Sequence, residues 1–404
     1  MTNSLIPAPW GFHPPGKLRL IDVRSAADLA LHADAWGELL LQSPAASPML
    51  SYPQLSAFFE TQLPVSESWL CLFVYEDQRL VGVFPLIAAK AVGVLGFTIL
   101  FLKTPYSILH TSGVDCLTLH GREELIEVFT AYLSCIPRTR VLIRMRELPD
   151  VSPTMVYLKR GGGGVHAIHW LGSSENYIEV PESYYAYHAG FSSNFKRQLK
   201  RGARKLDQVE DVHFLCRDDR RTASENVMRF EQIESSGWKG EQDFTIKAVE
   251  GSASFYTLAA ERFHRYGWME WNFLESGDRT IGVHYGVRIK RTLFLLKISY
   301  DDEFSACSPG NLLLEKVVQH ACETRELDEI NCVADCAWHK NWNMKSRQLH
   351  DLILLPGTPL MSAWVSFIFN SQLCHQLRKR LSKKQKKVNA PSSSHSSPSL
   401  PVAQ

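Results

Sequence analysis

A Ser-Pro-Gly turn at residues 308–310 has the composition of an anion-binding helix start. Ser308 is a good N-cap residue, Pro309 suits the first helical position, and Gly310 lets a ligand approach the backbone closely. The first N–H groups of a helix have no intrahelical partner and lie at the positive end of its dipole. The turn therefore predicts a binding site for a phosphate-like anion. The alternative is an ordinary capped helix that binds no ligand.

A second group of charged residues lies in the stretch FSSNFKRQLKRGARKL, residues 191–206. We read it as a helix that Ser192 or Ser193 caps, with its apolar residues on one half. The other half carries cations with no acid between them: Lys196, Arg197, Lys200, Arg201, Arg204 and Lys205. Two interpretations stay open, namely a solvated charged face, which is the usual case, and an anion-binding surface.

Polar and aromatic residues crowd the stretch DCAWHKNW, residues 335–342, directly after a predicted strand. The ends of strands are where α/β folds place their binding and catalytic sites. The carboxyl of Asp335 and the imidazole of His339 are groups that can move protons. The alternative is that both side chains make structural hydrogen bonds.

Hydrophobic periodicity predicts the elements that position these stretches. Alternating apolar residues indicate strands at 271–274, 280–289 and 292–299, which we expect to form an antiparallel meander. The Ser-Pro-Gly turn then opens a helix, and residues 329–333 return as a strand. The buried stripe of that helix is expected to contain Leu313, Leu314, Val317, Val318 and Ala321. The first 150 residues contain helices and strands of their own and so predict a separate α/β unit.

Length and composition predict a globular protein of two or three domains. The chain has 404 residues, of which 45% are hydrophobic and 21% are charged. We expect a flexible Pro-rich arm at 1–16 and an N-terminal domain at 17–165. A C-terminal domain would follow at 166–375, and a basic, disordered tail at 376–404.

Charge and cysteine usage favour a cytoplasmic protein. The net charge of +2 gives no overall case for nucleic acid or a membrane surface. The nine cysteines lack CxxC pairs and indicate reduced thiols. The start of the chain lacks a signal-peptide pattern, and the longest apolar run, 91–102, is too short to span a bilayer. Residues 362–381 begin apolar and end basic, so they predict either a packed helix or a peripheral contact with the inner face of the membrane.

Four motifs in this order resemble a known family: FSSNFKRQLKRGARKL, then SGWKG (236–240), then ISYDDEFSACSPGNLLL (298–314), then DCAWHKNW. They are similar to the CelD/BcsL branch of the GNAT acyltransferases, which is related to the FemAB aminoacyl transferases. The resemblance covers about residues 20–370. It implies an α/β chain of two tandem GNAT (FemAB-like) folds, each a mixed, mostly antiparallel sheet flanked by helices. It also implies acyl-CoA as cosubstrate, acetyl-CoA foremost, and no metal.

In GNAT proteins the acyl-CoA pyrophosphate lies on backbone N–H groups at the start of the helix after the splayed fourth strand. The resemblance maps this cofactor site onto Ser308, Pro309, Gly310, Asn311 and Leu312. The loop departs from the Gln/Arg-x-x-Gly-x-Gly/Ala signature of ordinary GNATs. Relatives carry a Tyr-Lys pair where this chain has His339-Lys340, so His339 would replace the tyrosine that serves as acid.

The resemblance implies transfer of an acyl group from acyl-CoA to an amine on a small molecule or a saccharide, in exopolysaccharide or cell-envelope biosynthesis. Asp335 would be the base or a substrate anchor, His339 the acid, and Lys340 the partner of an anionic group on the acceptor. The expected substrate-binding residues line the cleft or meet phosphates: Tyr300, Asp301, Trp342, Lys196, Arg197, Lys200 and Arg201.

Two alternatives stay open. A FemAB-like transferase would take an aminoacyl group from charged tRNA, and its basic helix would bind the RNA backbone with a steep salt dependence. A catalytically degenerate GNAT fold would instead be a partner in a polysaccharide synthesis system, and it would bind acyl-CoA without turnover.

Overall fold

The structure is a computed structural model that describes residues 9, 11–94, 97–105, 113–162, 164–217, 220–236 and 251–356. All of them belong to one compact unit that spans residues 1–357. The predicted tail, the basic segment at 362–381 and nearly all of the SGWKG motif lie outside the described residues. Within the described ranges, no helix is long and apolar enough to cross a membrane.

The described strands form one 13-stranded sheet with helices packed on its faces. In chain order the strands are β1 (Leu18–Val23), β2 (Ser68–Glu76), β3 (Arg79–Val94), β4 (Phe97–Lys103), β5 (Leu117–Thr118), β6 (Thr139–Pro149), β7 (Val165–Glu179), β8 (Val212–Cys216), β9 (Met269–Ser276), β10 (Arg279–Ile289), β11 (Thr292–Tyr300), β12 (Glu329–Asn331) and β13 (Lys345–Pro356). The helices are α1 (Ala26–Ala30), α2 (Ala33–Gln42), α3 (Tyr52–Thr61), α4 (Leu125–Ser134), α5 (Pro153–Lys159), α6 (Tyr184–Ala189), α7 (Ser193–Leu206), α8 (Ala223–Ser236), α9 (Ser252–Arg265) and α10 (Pro309–Thr324). Short 3-10 segments lie at Pro48–Leu50, Asp302–Cys307 and Ala337–Trp342.

The two halves of the chain repeat one order of elements. In the first half a strand and helices α1–α3 lead to an antiparallel meander β2–β3–β4, then α4 and the parallel strand β6. In the second half β8 and helices α8–α9 lead to the meander β9–β10–β11, then α10 and the parallel strand β12. The chain is therefore a tandem of two similar units, each a mixed, mostly antiparallel sheet flanked by helices.

The last strand of each half pairs with the other half. The central strand order is β6-β13-β7-β12, so β13 from the second half pairs with β6, and β7 from the first half pairs with β12. β7 and β13 also pair with each other over most of their length. This reciprocal exchange joins the halves into a continuous sheet.

Three hydrophobic clusters cover the sheet. One cluster on one face is shared by both halves and contains side chains from α2, α3, α8 and α9. On the other face the halves have separate cores, the first under α4 and α5 and the second under α7 and α10. We call the face that carries α7 and α10 the α10 face of the second half, and the opposite one the shared face.

The predicted elements that carry the candidate site are confirmed. β9, β10 and β11 form the expected meander, α10 begins at Pro309, and its stripe from Leu313 to Ala321 is buried. α7 begins after Ser192, whose hydroxyl accepts a hydrogen bond from the Phe195 N–H at 3.2 Å. The strands β8 and β13 had no clear sequence signal, since β13 starts with the polar run KSRQ.

Candidate functional site

A gap opens between the parallel strands β11 and β12. The two strands pair only from Thr292 to Phe294, opposite Glu329 to Asn331. Beyond this point β11 continues along β10 as far as Tyr300. The chain after β12 instead follows β7, because the Cys332 N–H donates to the Asn176 carbonyl and the Asn176 N–H donates to the Ala334 carbonyl, both at 2.9 Å. The backbones of β11 and β12 therefore separate after Phe294 and Asn331, and we call this separation the slot.

A β-bulge lies on β11 beside the slot. The register with β10 runs from Gly286–Leu295 directly to Tyr285–Lys297, so Leu296 is an extra residue. A bulged residue has backbone groups outside the ladder, and bulges often lie next to active sites. Here the freed backbone groups can meet the oxygen of a bound carbonyl.

The first half has no matching slot in its described part. β4 and β6 stay paired over six residues, from Thr98 to Lys103 opposite Thr139 to Arg144. The equivalent helix α4 has Glu124 as its N-cap residue and Glu127 in its first turn, whereas the first turn of α10 has no acid. Because acids repel an anion from a helix start, the second half is the better candidate for a phosphate site.

The start of α10 offers fewer free donors than the sequence predicts. The Ser308 N–H donates to the Ser305 carbonyl at 2.9 Å, and the N–H groups of Asn311 and Leu312 both donate to the Ser308 carbonyl. Pro309 has no N–H. Among the described residues the Gly310 N–H has no acceptor, so an anion here would rest on Gly310 and the helix dipole.

Ser308 occupies the N-cap position in a conformation that the sequence does not predict. Its φ of 55° lies in the left-handed region, and its hydroxyl makes no cap hydrogen bond. The 3-10 segment Asp302–Cys307 precedes it and brings the chain into this geometry. A serine in this region is strained, and such strain is common at ligand-binding turns.

Two of the predicted cleft residues lie beside this turn. A Cβ added at Gly310 would be 3.3 Å from the Tyr300 ring, so Tyr300 forms one wall of the turn. Asp301 is buried and structural: its carboxylate accepts hydrogen bonds from Arg279 at 2.9 and 2.5 Å and caps the 3-10 segment through the Glu303 N–H. The expectation that Asp301 lines an open cleft does not fit this geometry.

Asp335 and His339 come together with a residue that sequence reasoning missed. The Asn176 side chain on β7 donates to the Asp335 carboxylate at 2.9 Å and contacts His339 Nδ1 at 3.1 Å. The Ser174 hydroxyl donates to the other Asp335 oxygen at 2.9 Å. Asp335 is exposed, so its carboxylate is held in position and open to a substrate.

His339 is held as a neutral imidazole. The Cys336 N–H donates to its Nδ1 at 3.2 Å, so Nδ1 is unprotonated and the remaining proton lies on Nε2. The side chain is 2% exposed, and burial lowers its pKa to about 4. His339 can therefore donate a hydrogen bond from Nε2 at neutral pH, although burial disfavours the imidazolium that a strong proton donor needs. Its neighbour Lys340 is exposed.

Trp342 does not line a cleft, contrary to expectation. It is fully buried against Phe191 and Phe195, with ring centroids 5.5 and 5.4 Å away. Its indole N–H donates to the Asn311 side chain at 3.1 Å. Trp342 thus ties the DCAWHKNW stretch to the first turn of α10 and to α7, and it positions the site from inside the core.

The basic helix α7 packs beside the start of α10. A Cβ at Gly202 would lie 2.4 Å from the Cys307 carbonyl oxygen and 3.7 Å from Leu312, so the close approach requires glycine. Lys196 donates to the Ala189 carbonyl at 2.6 Å. The other cations are exposed and form no ion pair with any residue in the described ranges: Arg197, Lys200, Arg201, Arg204 and Lys205.

The partners that complete the site carried no local sequence signal. Ser174 and Asn176 are some 160 residues away from Asp335 in the chain. The two residues are two apart on β7 and so share a face of the sheet, which is visible only once that strand is assigned. The bulge at Leu296 depends on strand register, which the sequence does not reveal.

The comparisons with known proteins agree with this geometry. Residues 193–340, from α7 to Lys340, match the family model described as an acetyltransferase (GNAT) domain. This range contains the meander, the slot, α10 and Asp335. No curated protein matches the chain in sequence.

Solved structures are similar in fold to most of the chain. The crystal structure of FemX superimposes with a TM-score of 0.53 at 9% identity, covering 83% of this chain and 96% of FemX. A conserved protein of unknown function from Bacteroides thetaiotaomicron gives 0.53 at 10% identity, covering 85% of this chain and 100% of that protein. Identities this low show the fold alone. Residues 193–340 are thus similar to a GNAT acetyltransferase domain, and the chain is similar in fold to FemX.

Proposed function

We propose that the protein is an N-acyltransferase that moves an acyl group from acyl-CoA to an amine. The observation that carries the proposal is the slot between β11 and β12, with a bulge on one side and the start of α10 on the other. An extended thioester arm fits such a slot, and the bulge offers backbone groups to its carbonyl. The match of residues 193–340 to a GNAT domain supports the same reaction class.

The donor would bind with its phosphates at the start of α10. Gly310 would contribute its free N–H, and the absence of acids in the first turn keeps the helix dipole available to an anion. Exposed cations on α7, Arg201 and Lys205 among them, lie on the helix that contacts this turn through Gly202. They would neutralise the remaining phosphate charge.

The reaction would be a direct transfer. The amine nitrogen attacks the thioester carbonyl carbon, so that a C–N bond forms and the C–S bond breaks. Asp335 would accept the proton that leaves the nitrogen, since its carboxylate is exposed and fixed by Ser174 and Asn176. The Nε2–H of His339 would donate a hydrogen bond to the departing thiolate, which solvent protonates. Lys340 would bind an anionic group on the acceptor.

Two finer assignments remain part of this proposal. The four sequence motifs support membership of the CelD/BcsL branch and hence a role in exopolysaccharide or cell-envelope synthesis. An aminoacyl-tRNA donor is the second candidate. The exposed cations of α7, which form no ion pair within the described ranges, favour it because they match the charge of an RNA backbone.

The test is a thiol-release assay with acetyl-CoA and longer acyl-CoAs in the presence of primary amines. We expect thiol release that depends on both substrates, together with the N-acyl product by mass spectrometry. Transfer from aminoacyl-tRNA with no response to any acyl-CoA would overturn the acyl-CoA assignment. Saturable acyl-CoA binding without turnover on any amine would indicate the degenerate fold instead.

A further inference from the structure

The turn from Asn331 to Val333 bends the chain where β12 leaves β11. Val333 has a φ of 47°, in the left-handed region, and its side chain is buried. Among the residues that the structure describes, it is the only β-branched residue with a positive φ. A branched Cβ makes this conformation costly, so the surrounding structure must hold it in place.

The Asn331 side chain holds Val333 in this conformation. Its Oδ1 accepts a hydrogen bond from the Val333 N–H at 2.7 Å, which is the arrangement of an Asx turn. The chain after Asn331 therefore turns away from β11 and follows β7, where the Cys332 N–H donates to the Asn176 carbonyl. An extended chain would instead continue the parallel pairing with β11 and close the slot.

A network of buried ion pairs fixes the Asn331 amide. Asn331 is 1% exposed, and its Nδ2 donates to Glu329 at 3.1 Å and to Glu175 at 3.3 Å. Arg347 donates to the same two carboxylates, to Glu175 at 2.8 Å and to Glu329 at 2.9 Å. Both polar atoms of the Asn331 side chain thus have partners, and its oxygen stays aimed at the Val333 N–H.

The first half contains a similar turn at a later position. Glu147 has a φ of 54°, and its N–H donates to the Asp351 carboxylate at 2.9 Å. It follows six pairs between β4 and β6, whereas Val333 follows only three pairs between β11 and β12. In each half a side-chain oxygen therefore holds a left-handed residue just after the two strands stop pairing. The earlier turn of the second half is where the slot opens.

We infer that Asn331 is a positioning residue of the transferase, whose Asx turn sets both the opening of the slot and the place of Asp335. Asp335 follows Val333 closely and meets Ser174 and Asn176 because the chain lies along β7. Without the Asn331 oxygen, Val333 would relax toward a negative φ, and the Asp335 carboxylate would leave these two donors. The inference rests on the proposed acyl transfer and adds the residue that aligns its proton acceptor.

The test compares Asn331→Ala with the double variant Asn331→Ala/Val333→Gly. Arg347 keeps both carboxylates paired in Asn331→Ala, so this protein should fold. We expect its kcat to fall about tenfold or more, with the KM for the amine within about threefold of the wild type, because the acceptor contacts remain. Glycine adopts a positive φ without steric cost, so the added Val333→Gly should restore kcat about threefold or more.

Asn272→Ala is the matched control. Asn272 is a fully buried asparagine on β9, and its side chain contacts Arg217 and Glu270 rather than the slot. Its loss should leave kcat within about twofold of the wild type. A kcat in Asn331→Ala equal to that of the control, or a loss that Val333→Gly does not reverse, overturns the inference.

If Asn331→Ala does not fold, Asn331→Ser with and without Val333→Gly gives the same comparison. A serine hydroxyl can accept from the backbone N–H two residues further on, but more weakly than asparagine. We expect a smaller loss of kcat that the glycine again reverses, and an unchanged kcat or an irreversible loss overturns the inference.

Amide hydrogen exchange over residues 329–336 separates this inference from the proposed function. Asn331→Ala should speed exchange in this segment, and the added glycine should restore part of the protection. If exchange follows this pattern but no acyl-CoA reacts with any amine, the acyl-transfer proposal fails and the placement of Asp335 by Asn331 stands. If acyl transfer proceeds while both exchange and kcat in Asn331→Ala match the wild type, the positioning role fails and the acyl transfer stands.

Discussion

At the scale of single residues, burial decides what His339 can do. An exposed histidine titrates near pH 6.5, but the pKa of this imidazole is lowered to about 4 by burial. Between these two pH values the unfolded chain binds more protons than the folded protein, so stability falls as the pH is lowered. A shift of this size amounts to about 3 kcal/mol once the pH is below the folded pKa.

We therefore expect acid sensitivity that depends on His339. His339→Gln should be less stable than the wild type at pH 7 by about 1–3 kcal/mol, because it disturbs the hydrogen bonds with Cys336 and Asn176. It should also lose less additional stability between pH 7 and pH 4. Urea unfolding at pH 7, 5.5 and 4 measures both effects. The exposed His13→Gln variant is the control, and parallel pH profiles for all three proteins would rule out a titrating His339.

Hydrogen bonds from Ser174 and Asn176 hold the Asp335 carboxylate in position. We therefore expect a large loss of kcat when the carboxylate is removed and a smaller loss when one of these hydrogen bonds is removed. Asp335→Asn removes the proton acceptor and should lower kcat by about a hundredfold or more. Ser174→Ala removes one hydrogen bond to the carboxylate and should lower kcat by about tenfold. Steady-state kinetics with an amine acceptor measures both, and Asp278→Asn in the exposed β9–β10 turn is the matched control. Full activity in Asp335→Asn would remove this residue from the mechanism.

At the scale of elements, α7 and α10 depend on one close contact. A methyl group at Gly202 would meet the Cys307 carbonyl oxygen at 2.4 Å, so α7 must shift away from the turn before α10. Gly202→Ala should destabilise the fold by about 1–3 kcal/mol and weaken acetyl-CoA binding. Chemical denaturation and calorimetry measure the two effects. Gly93→Ala adds a methyl where nothing lies within 4 Å and should change neither; a neutral Gly202→Ala would show that the contact is not needed.

Elements with a strong local pattern could be predicted from the sequence. The meander and α10 followed from alternating and helical periodicity, and α7 followed from its cap and its two-sided composition. β13 could not be predicted in the same way. Its first residues are polar because Lys345 and Arg347 form ion pairs with Glu179 and Glu175 on β7. Its later residues are apolar because Leu352 and Leu354 pack in the first core.

The same limit applies to the site residues. Those with a distinctive type and position could be predicted, and those that depend on strand pairing could not. The Ser-Pro-Gly turn and Asp335 stood out by residue type and by their position after strands. The partners of Asp335, Ser174 and Asn176, come from β7, which meets this stretch only in the folded sheet. The roles expected of Trp342 and Asp301 did not fit, because residue type does not tell a buried support from a cleft wall.

At the scale of the whole molecule, the exchange of β7 and β13 makes each half depend on the other. β13 inserts between β6 and β7, and the shared hydrophobic cluster contains residues of both halves. The predicted domain boundary at residue 165 stays a prediction. The described sheet is continuous across it, and the repeat of elements groups β7 with the first half.

The expected consequence is a single cooperative unfolding transition. A chain cut between β7 and α6, at residues 180–183, should give two fragments that copurify, while neither fragment alone shows a cooperative transition. Calorimetry of the intact protein and affinity copurification of the fragments measure this. Two resolved transitions, or a fragment that folds alone, would contradict the interdependence of the halves.

The most direct test of the central claim is the calorimetric titration of acetyl-CoA into the wild type and a Gly310→Glu variant. A glutamate in the first turn favours the helix, and its Cβ would lie 3.3 Å from the Tyr300 ring, which needs only a small shift, so the variant should fold. Its charge should repel the donor phosphates. Lys316→Glu, at an exposed position further along α10, is the control for a general charge effect. The account predicts saturable binding by the wild type and the control and at least a tenfold loss in Gly310→Glu. Equal binding by all three proteins, or no binding by the wild type, would contradict it.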